Sequence, residues 1–562
     1  MILATLVQIR DYTARGIWGT ATIDDLFRAA VIGGRDRLAI ADAPNKPDFM
    51  GVAGLRLSWV ELADLVDRLC LRLLDAGVRR DDVVGVQLPN CVEFAAVYLA
   101  AARLGFIVSP FPIQYRAHEL ADLLAFAGVR GFITARDIKG HDHAGMVDAL
   151  RGTVPTLDFI LAWGAGIGSL DDLNATAVDR VRVAEASAKA AVTANDILII
   201  TWTSGTEARP KGVPRSHNYW INAGMACAEA GELGDGAVLL NPFPMVHLGS
   251  LGGMFFPWLI KRGVLVQHQP FDLDIFLRQI ADEKVAYTVA PPAILNLLLQ
   301  NDALRTKYDL SSLRSLGSGS APLSPDVLRR FQQDHGLAIW NAFGSSEGCA
   351  LFGSRIDVPD PGLRATYLPR FGATGVNFPS WTSKMQETRL VDPDTEAEIT
   401  TIGVPGELRL RGPFVFSGYW NAPALTAAAF DAEGYYRTGD MFALAGDDAI
   451  PRYYHSLGRS KEVINRGGVK ISPTELEALI EAHPKVREAA VIGIADERLG
   501  EVVCAVVVPR DGQAILLEDI VAFLQARQIA VYKLPQRLVV VDALPRNPVG
   551  KVLKRDLRAT IS

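Results

Sequence analysis

The first half of the chain alternates between two hydrophobic periods. From Leu57 to Leu69 apolar residues recur every three to four positions, which predicts an amphipathic helix. The segments Asp82–Asn90 and Ile107–Pro112 are short and apolar and end at proline signals, which predicts strands, and Glu93–Leu104 between them predicts another amphipathic helix. Because strands alternate with helices, the pattern favours a parallel sheet with helices on its faces.

The hydrophobic pattern changes after about Leu390. Short alternating segments, among them Gly406–Gly412 and Val415–Trp420, predict an antiparallel region. The last part of the chain predicts a compact α+β unit of about a hundred residues. Its predicted helices are Pro473–His483 and Leu516–Arg527, and its predicted strands are Glu488–Ile494 and Glu501–Val508.

The composition is typical of a globular protein with a large core, since 49% of the 562 residues are hydrophobic, 21% are charged and the net charge is -6. The sequence lacks a basic block interleaved with aromatic residues, so it gives no indication of a nucleic-acid partner. The five cysteines are scattered without a CxxC pair, which indicates a reducing compartment and no structural zinc. The chain begins without a secretory signal pattern, and its longest apolar stretch, Leu248–Ile260, is about half the length of a membrane span. We therefore expect a cytoplasmic protein without a transmembrane segment.

The main candidate for chemistry follows the apolar run Ile197–Ile200, which predicts a buried strand. Hydroxyl groups, small residues and a lysine come next, and together they suit an anionic triphosphate. These residues are Thr203, Ser204, Gly205, Thr206 and Lys211. The lysine follows a proline and no Ser or Thr comes after it, so the stretch is not the GxxxxGK[ST] phosphate loop. A solvated turn beside a surface lysine is the alternative.

The stretch from Thr203 to Gly212 closely resembles the TSGTTGxPKG signature of the adenylate-forming superfamily. That superfamily includes acyl-CoA synthetases, aryl-acid activating enzymes, peptide-synthetase adenylation domains and beetle luciferases. Glu207 and Ala208 depart from the signature, which has Thr or Ser and then Gly at these positions. A carboxylate there would repel a polyphosphate by about 1–4 kcal/mol at short range. We prefer the alternative that Glu207 points to solvent or pairs with Arg209, because an exposed pair costs little.

Three further segments resemble nucleotide motifs of the same superfamily. Ser318–Leu323 is similar to its adenine loop, Asn341–Glu347 to its NxYGxTE element, and the stretch ending at Asp440 to its YxTGD element. The resemblance implies that Asp440 binds the ribose hydroxyls and that Glu347 with Ser346 holds Mg2+. It implies ATP or AMP binding by Thr203, Ser204, Gly205, Thr206, Lys211, Gly319, Ser320, Ala321, Asn341, Ala342, Phe343, Gly344, Ser345, Ser346, Asp440 and Arg459.

The end of the chain continues the resemblance. Leu457–Glu477 is similar to the segment that joins the large and small domains, with Lys461 at the hinge, and a loop insertion is expected near Asp447–Tyr453. The tail Leu544–Arg555 resembles the PxTxxGKxxR pattern and implies that Lys551 is catalytic. The resemblance also implies catalytic roles for Glu347, His247 and Lys461, and CoA binding by Arg466, Gly467, Gly468 and Lys470.

The resemblance covers nearly the whole chain and implies an α/β fold class. A large N-terminal domain would contain two mixed or parallel sheets with flanking helices and a small β-barrel, followed by a small mobile α+β C-terminal domain. We place the large domain at residues 1–457, its barrel at about 387–455, and the small domain at 458–562.

The implied activity is AMP-forming ligation of a carboxylic acid to CoA. We expect the acid beside His247, which is followed by Leu248 where enzymes for 2-hydroxylated benzoates have asparagine. An apolar residue there suggests an aliphatic, alicyclic or simple aromatic acid. The other expected pocket residues are Gly249, Leu251, Gly252, Gly253 and Ser318.

Alternatives to this activity remain open. An aryl-acid adenylating enzyme would load a carrier protein instead of CoA, and a luciferase-like oxygenase would share the first half-reaction. A weakened ATP-binding homologue is a third alternative, suggested by Glu207 and Ala208. The expected cofactors and partners are ATP, Mg2+, CoA and a small carboxylic acid, and the oligomeric state, including a homodimer, is left open.

Overall fold

The computed structural model describes residues 1–164, 166–173, 177–203, 210–319, 323–446, 450–459, 462–466, 469–496, 499–527, 529, 531–547 and 551–561. Its strands are β1 (Leu38–Ala41), β2 (Arg56–Ser58), β3 (Val83–Gln87), β4 (Ile107–Pro110), β5 (Val129–Ala135), β6 (Asp137–Ile138), β7 (His141–Asp142), β8 (Phe159–Trp163), β9 (Ile197–Thr203), β10 (Lys211–Ser216), β11 (Val238–Asn241), β12 (Val264–Gln267), β13 (Tyr287–Val289), β14 (Ser315–Gly319), β15 (Ala338–Gly344), β16 (Cys349–Gly353), β17 (Tyr367–Pro369), β18 (Glu387–Val391), β19 (Pro405–Arg411), β20 (Tyr436–Ala445), β21 (Tyr453–Arg459), β22 (Ile464–Arg466), β23 (Val469–Ile471), β24 (Val486–Asp496), β25 (Gly500–Pro509) and β26 (Arg537–Val540).

The helices pack on both faces of the large sheets and of the last sheet. They are α1 (Leu6–Ala14), α2 (Ile23–Gly34), α3 (Lys46–Met50), α4 (Trp59–Asp75), α5 (Val92–Leu104), α6 (Ala117–Ala127), α7 (His143–Asp148), α8 (Arg180–Ala190), α9 (His217–Ala230), α10 (Leu248–Ser250), α11 (Phe256–Lys261), α12 (Leu273–Asp282), α13 (Pro292–Gln300), α14 (Asp302–Lys307), α15 (Pro325–His335), α16 (Pro361–Thr366), α17 (Pro423–Ala429), α18 (Pro473–Glu481), α19 (Leu517–Gln525) and α20 (Lys554–Ile561). On the last sheet, α20 lies on the face opposite to α18 and α19. Within the described residues, no helix combines the length and the hydropathy needed to cross a membrane.

Two large sheets form the centre of the N-terminal part. The first has eight strands in the order β16-β15-β14-β13-β11-β12-β1-β2, which are parallel except for the pair at each edge. The second has six strands in the order β10-β9-β4-β3-β5-β8, in which β10 pairs antiparallel with β9 and the others are parallel. The predicted α/β class with mixed, mostly parallel sheets is confirmed.

The helix α5 differs from the amphipathic helix that the sequence predicts, because all 13 of its residues are buried. Its two charged residues are paired inside the protein. Lys46 Nζ donates to both carboxylate oxygens of Glu93, at 2.6 and 2.7 Å, and Arg103 Nε donates to Asp24 Oδ1 at 2.9 Å. A buried charge is tolerated when an opposite charge meets it, so charged residues can occupy an inner face of a helix.

The antiparallel region forms a five-stranded sheet in the order β17-β21-β20-β19-β18. The edge strand β18 approaches β21 through side chains, since Thr388 Oγ1 on β18 lies 2.9 Å from the Tyr454 hydroxyl on β21. The predicted strand at Val415–Trp420 is wrong. Only an isolated bridge joins Val415 to Gly348 in the described chain, because the amides that follow it bind partners in other parts of the protein.

A separate sheet lies in the C-terminal part, with the order β23-β22-β25-β24 and β26 beside β25. The helices α18 and α19 and the long strands β24 and β25 match the elements predicted there, and Ser472 caps α18 by accepting from the Glu475 N–H at 3.3 Å. A separate C-terminal unit is therefore confirmed, and the boundary at residue 457 stays a prediction.

The buried amide of Asn90 joins the two large sheets. Asn90 follows β3 of the six-stranded sheet, and its Nδ2 donates to Phe243 O at 2.8 Å in the loop after β11 of the eight-stranded sheet. Its Oδ1 accepts from the Met245 N–H at 2.8 Å, and its own N–H donates to Gln269 Oε1 at 2.6 Å. The carboxyl ends of both sheets are therefore held at one edge, and the loop after β11 leads directly to His247.

Replacing Asn90 with alanine should lower the midpoint of thermal unfolding. The buried Met245 N–H and Phe243 carbonyl would each lose a partner, at about 1–3 kcal/mol per group. Asn377→Ala, at an exposed side chain, is the control and should leave the midpoint unchanged. Equal midpoints for the two variants would contradict the assigned role of Asn90.

Candidate active site

The strand pair β9–β10 carries the phosphate-type stretch. Thr203 at the end of β9 lies opposite Lys211 at the start of β10 in the antiparallel register. Between them, residues 204–209, which include Ser204, Gly205, Thr206, Glu207 and Ala208, lie outside the described residues. What the structure places is therefore the two ends of the predicted phosphate loop, at the carboxyl edge of the six-stranded sheet.

An irregular segment, residues 416–420, connects this strand pair to the Glu347 loop. The Trp420 N–H donates to Gly212 O at 2.9 Å, next to Lys211, and the Phe416 N–H donates to Glu347 O at 2.8 Å. A Cβ on Gly212 would lie 3.0 Å from Trp420 Cβ, so glycine allows this close approach. Because the two hydrogen bonds point to different sheets, the segment cannot continue as a strand, which explains the failed strand prediction.

Glu347 is buried, with 9% of its surface exposed. Its Oε1 accepts from the Tyr419 hydroxyl at 3.0 Å, and the ring of Tyr419 lies 5.3 Å from Lys211 Nζ. On the other side, the guanidinium of Arg215 donates to Ser346 O and stacks 3.7 Å from the centroid of the Tyr219 ring. The structure thus brings the predicted metal ligand and the predicted phosphate lysine to one place.

The predicted adenine-binding segments are neighbouring parallel strands. Ser318 and Gly319 at the end of β14 lie opposite Asn341 and Ala342 on β15. A Cβ on Gly319 would lie 2.7 Å from Ala342 O, so only glycine fits at this position. Ser345 and Ser346 directly follow β15, whose last residue, Gly344, is exposed. Ser320 and Ala321 lie outside the described residues.

The ring of Phe343 contacts the antiparallel sheet. Its centroid lies 5.0 Å from that of Phe442 on β20, at an interplanar angle of 82°. This edge-to-face packing fixes the orientation of Phe343. Adenine stacking on this ring stays a prediction, and the ring is held by β20, the strand that also carries Asp440.

Asp440 and Arg459 form an ion pair, with Arg459 Nε 3.1 Å from Asp440 Oδ1 across the β20–β21 register. Burial raises the pKa of the Asp440 carboxyl, and the positive charges of Arg459 and Lys551 oppose this rise. The negative charge of Glu347 reaches the same carboxyl. Asp440 and Arg459 are therefore joined by an ion pair, and the charges of Lys551 and Glu347 act on the Asp440 carboxyl.

Lys551 reaches this environment from the C-terminal tail. In the tail, the Lys551 N–H donates to Asn547 Oδ1 at 2.8 Å and the Asn547 N–H donates to Lys551 O at 2.9 Å. The residue is exposed overall, yet desolvation around its ammonium group and the Arg459 charge lower the pKa of Lys551, against the opposing effect of Glu462 and Asp440. Asn547 stands where the adenylate-forming pattern has threonine, and its side chain provides the acceptor for the Lys551 N–H.

The expected acid pocket lies after β11. His247 is half-buried, with its ring centroid 6.2 Å from that of Phe243, and the surrounding protein lowers the pKa of its imidazole to about 4. Leu251 and both following glycines are buried in a π-helical stretch, Leu251–Phe255, between α10 and α11. Such stretches are frequent at functional sites.

The glycines of this pocket differ in the space beside them. A Cβ on Gly249 would lie 3.2 Å from Phe243 Cδ2, and one on Gly252 would lie 3.2 Å from Leu248 Cδ1. A Cβ on Gly253 would meet no atom within 4 Å. Ser318 is turned towards the backbone, since its hydroxyl donates to Ala290 O at 2.9 Å. Gly253 is therefore the glycine of this stretch that borders open space.

The predicted CoA residues lie in the C-terminal unit. Arg466 donates from Nη1 to Tyr532 O at 2.5 Å, which ties the end of β22 to the segment before β26. Outside the described residues lie Gly467, Gly468 and the predicted hinge residue Lys461. The structure describes the backbone of Lys470, which belongs to the strand β23. Of this group, the structure therefore places the side chain of Arg466 alone.

A family model described as AMP-binding enzyme matches residues 36–420, and a model described as AMP-binding enzyme C-terminal domain matches residues 475–551. The chain belongs to the AMP-binding enzyme family. It is 30% identical to 2-hydroxy-7-methoxy-5-methyl-1-naphthoate–CoA ligase of Streptomyces carzinostaticus, over 98% of this chain and 94% of that protein. It is 31% identical to 2,3-dihydroxybenzoate-AMP ligase of Bacillus subtilis, over 98% of this chain and 96% of that protein.

The fold of this AMP-binding enzyme is similar to the crystal structure of ATP-bound MatB from Rhodopseudomonas palustris. The TM-score is 0.78 at 29% identity, and the similarity covers 96% of this chain and 99% of that one. The family and fold class predicted from the sequence are confirmed, and the protein is an adenylate-forming acid ligase. The individual site residues stay predictions, which the geometry above places but does not test.

Sequence reasoning missed two residues of the site. Arg215 lies on β10 at even spacing from Lys211 and Val213, so strand periodicity could have placed it on the same face as Lys211. Tyr419 gave no signal, because its partners Glu347 and Lys211 are distant in sequence and its segment is not a regular element.

The pH dependence of stability should report the environment of His247. Its folded pKa of about 4 lies below its ordinary value of 6.5, so its neutral form stabilises the fold above pH 6.5 and that stability is lost as the pH falls towards 4. We predict that His247→Gln makes the unfolding midpoint less dependent on pH between 6.5 and 4.

His217 provides the matched control for this experiment. It is fully buried, its Nδ1 accepts from the Ile23 N–H at 3.0 Å, and burial lowers its pKa to about 4 as well. His217→Gln should flatten the same pH profile, and the double variant should flatten it further. An unchanged slope in His247→Gln would show that His247 lies in a more solvated place than the structure gives it.

Proposed function

We propose that this enzyme is an AMP-forming carboxylic acid:CoA ligase. The observation that carries the proposal is the 3.1 Å ion pair of Asp440 with Arg459, beside which Tyr419 joins the buried Glu347 carboxylate to Lys211. A nucleotide and an acid both carry negative charge, so a site that joins them needs cations held at fixed places. The carboxylates serve the ribose hydroxyls and a metal ion.

The first reaction would form an acyl adenylate. A carboxylate oxygen of the acid attacks the α-phosphorus of ATP, the bond from this phosphorus to the oxygen that bridges to the β-phosphate breaks, and pyrophosphate leaves with the electron pair. Lys551 would stabilise the negative charge that develops at the α-phosphate, and Lys211 the charge on the departing phosphates. The neutral His247 would line the acid side without adding charge there.

Magnesium fits the oxygen ligands at the phosphate end. The buried Glu347 carboxylate and the Ser346 hydroxyl are ligands of the kind that this hard cation prefers, and the bound ion would supply neutralisation of phosphate charge. Asp440 would accept hydrogen bonds from the ribose hydroxyls, and Arg459, through its 3.1 Å ion pair, would hold that carboxylate in place.

The second reaction would transfer the acyl group to a thiol. The sulfur attacks the acyl carbon, the thiol proton is released, and the bond from this carbon to the AMP oxygen breaks. We assign the CoA side to Arg466, Gly467, Gly468 and Lys470, with a rotation about Lys461 that withdraws Lys551. The relatives named above include one CoA ligase and one AMP ligase at nearly equal identity, so a carrier-protein acceptor is the second candidate.

The acid would be apolar around its carboxylate. Leu248 supplies no hydrogen-bond partner next to His247, and Gly253 borders open space, which suits an aliphatic, alicyclic or simple aromatic acid. The buried cysteines Cys70, Cys91 and Cys504 form no disulfide, which supports a cytoplasmic location.

Replacing Lys551 with alanine tests the assignment of the two reactions. Acid-dependent exchange of labelled pyrophosphate into ATP should fall by at least about a hundredfold, because a charge-stabilising group is lost. Thioester formation from a supplied acyl adenylate should change less than about threefold. Arg555→Ala removes an exposed cation, 69% accessible, from the same tail and should preserve both reactions. Equal loss of both reactions in Lys551→Ala would contradict the role.

The acceptor is tested with acyl adenylate supplied to the native enzyme. Consumption of CoA thiol and appearance of acyl-CoA by mass spectrometry would establish the ligase. Acylation of an added phosphopantetheinyl carrier protein, with CoA left intact, would instead support the second candidate.

A further inference from the structure

Tyr419 lies between the two groups assigned to the phosphate end of the nucleotide. Its hydroxyl donates to Glu347 Oε1 at 3.0 Å, and the centroid of its ring is 5.3 Å from Lys211 Nζ. A single side chain therefore contacts a carboxylate through its polar end and an ammonium group through its aromatic face. Both contacts are electrostatically favourable, since the hydroxyl is a donor and the ring face is electron-rich.

The position of Tyr419 is fixed by its surroundings. The Tyr419 N–H donates to Thr426 Oγ1 at 2.9 Å, and the Phe416 ring packs edge-to-face on the Tyr419 ring with centroids 4.7 Å apart. The neighbouring Trp420 N–H binds Gly212 O at 2.9 Å. Tyr419 is buried, with 9% of its surface exposed, so the ring has little freedom to turn away from either partner.

We propose that Tyr419 is a positioning residue that couples Lys211 to Glu347, so that the cation and the carboxylate meet the phosphates of a magnesium-bound nucleotide together. This inference rests on the proposed function. Without the hydroxyl, the buried Glu347 carboxylate would lose a charge-assisted hydrogen bond that fixes its orientation. Without the ring, Lys211 would also lose the surface on which it rests.

The two contacts are separable by substitution. Tyr419→Phe removes the hydroxyl and keeps the ring, so it should affect the carboxylate side alone. Tyr419→Leu removes both contacts and should affect both partners. The difference between the variants distinguishes positioning of Glu347 from general packing.

The chain contains a similar tyrosine that serves as a matched control. The Tyr435 hydroxyl donates to Glu387 Oε2 at 3.2 Å, and the guanidinium groups of Arg389 and Arg411 lie 4.2 and 4.3 Å from its ring centroid. This tyrosine, just before β20, also joins a carboxylate to cations, but its partners are Glu387, Arg389 and Arg411. Tyr435→Phe therefore removes the same kind of hydrogen bond without touching the proposed site.

The experiment is calorimetric titration of the full-length protein with ATP, once with excess Mg2+ and once with EDTA. We expect Tyr419→Phe to weaken binding of magnesium-bound ATP about tenfold, the usual scale for a hydrogen bond to a charged group. Metal-free ATP should bind Tyr419→Phe within about twofold of the native protein. Tyr419→Leu should weaken both, and Tyr435→Phe neither.

The outcomes separate this inference from the proposed function. If the native protein binds no ATP under either condition, the proposed function fails. If the native protein binds magnesium-bound ATP and Tyr419→Phe binds it equally well, the coupling role is overturned. A loss of equal size with and without Mg2+ in Tyr419→Phe would also overturn it, because the residue would then act on packing alone.

Discussion

The site depends on the two backbone hydrogen bonds that join the segment 416–420 to Gly212 and to Glu347. Gly212 belongs to an edge strand of the six-stranded sheet, and Glu347 lies in the loop between two strands of the eight-stranded sheet. Neither sheet alone can hold a triphosphate between a lysine and a carboxylate. The segment supplies the connection, and its backbone is irregular because it must satisfy partners in two directions.

A second connection, the amide of Asn90, acts at the acid side. It holds the loop after β11 against the end of β3 through bonds to Phe243 and Met245, just before His247. The π-helical stretch that follows places Gly253 beside open space. The proposed phosphate end and the proposed acid end are thus each held by hydrogen bonds that link the two large sheets.

Much of the fold was predictable because its periodicities are local. The helix α4, the strand at Val83–Gln87 and the C-terminal helices follow from side-chain spacing alone. The errors arose where distant partners decide. The buried faces of α5 depend on Lys46 and Asp24, and the irregular path of Val415–Trp420 depends on Gly212 and Glu347.

In the candidate site, too, residues within recognisable motifs were predicted, and a residue defined by distant contacts was not. Asp440, Arg459, Glu347 and Lys551 were identified by resemblance, and the structure pairs Asp440 with Arg459 at 3.1 Å. Tyr419 could not be identified from the sequence, because its contacts with Glu347 and Lys211 are distant in the chain and leave no local pattern. The predicted phosphate turn, from Ser204 to Ala208, lies outside the described residues, so the effect of Glu207 is a question for experiment.

Acid-dependent exchange of labelled pyrophosphate into ATP is the most direct measurement of the central claim. The native enzyme, tested with benzoate, cyclohexanecarboxylate, octanoate and salicylate, should exchange label with at least one apolar acid, and exchange should vanish without acid. If the enzyme binds ATP but no acid of the panel supports exchange, the account is contradicted. The protein would then be a homologue that has kept the nucleotide site and lost the reaction.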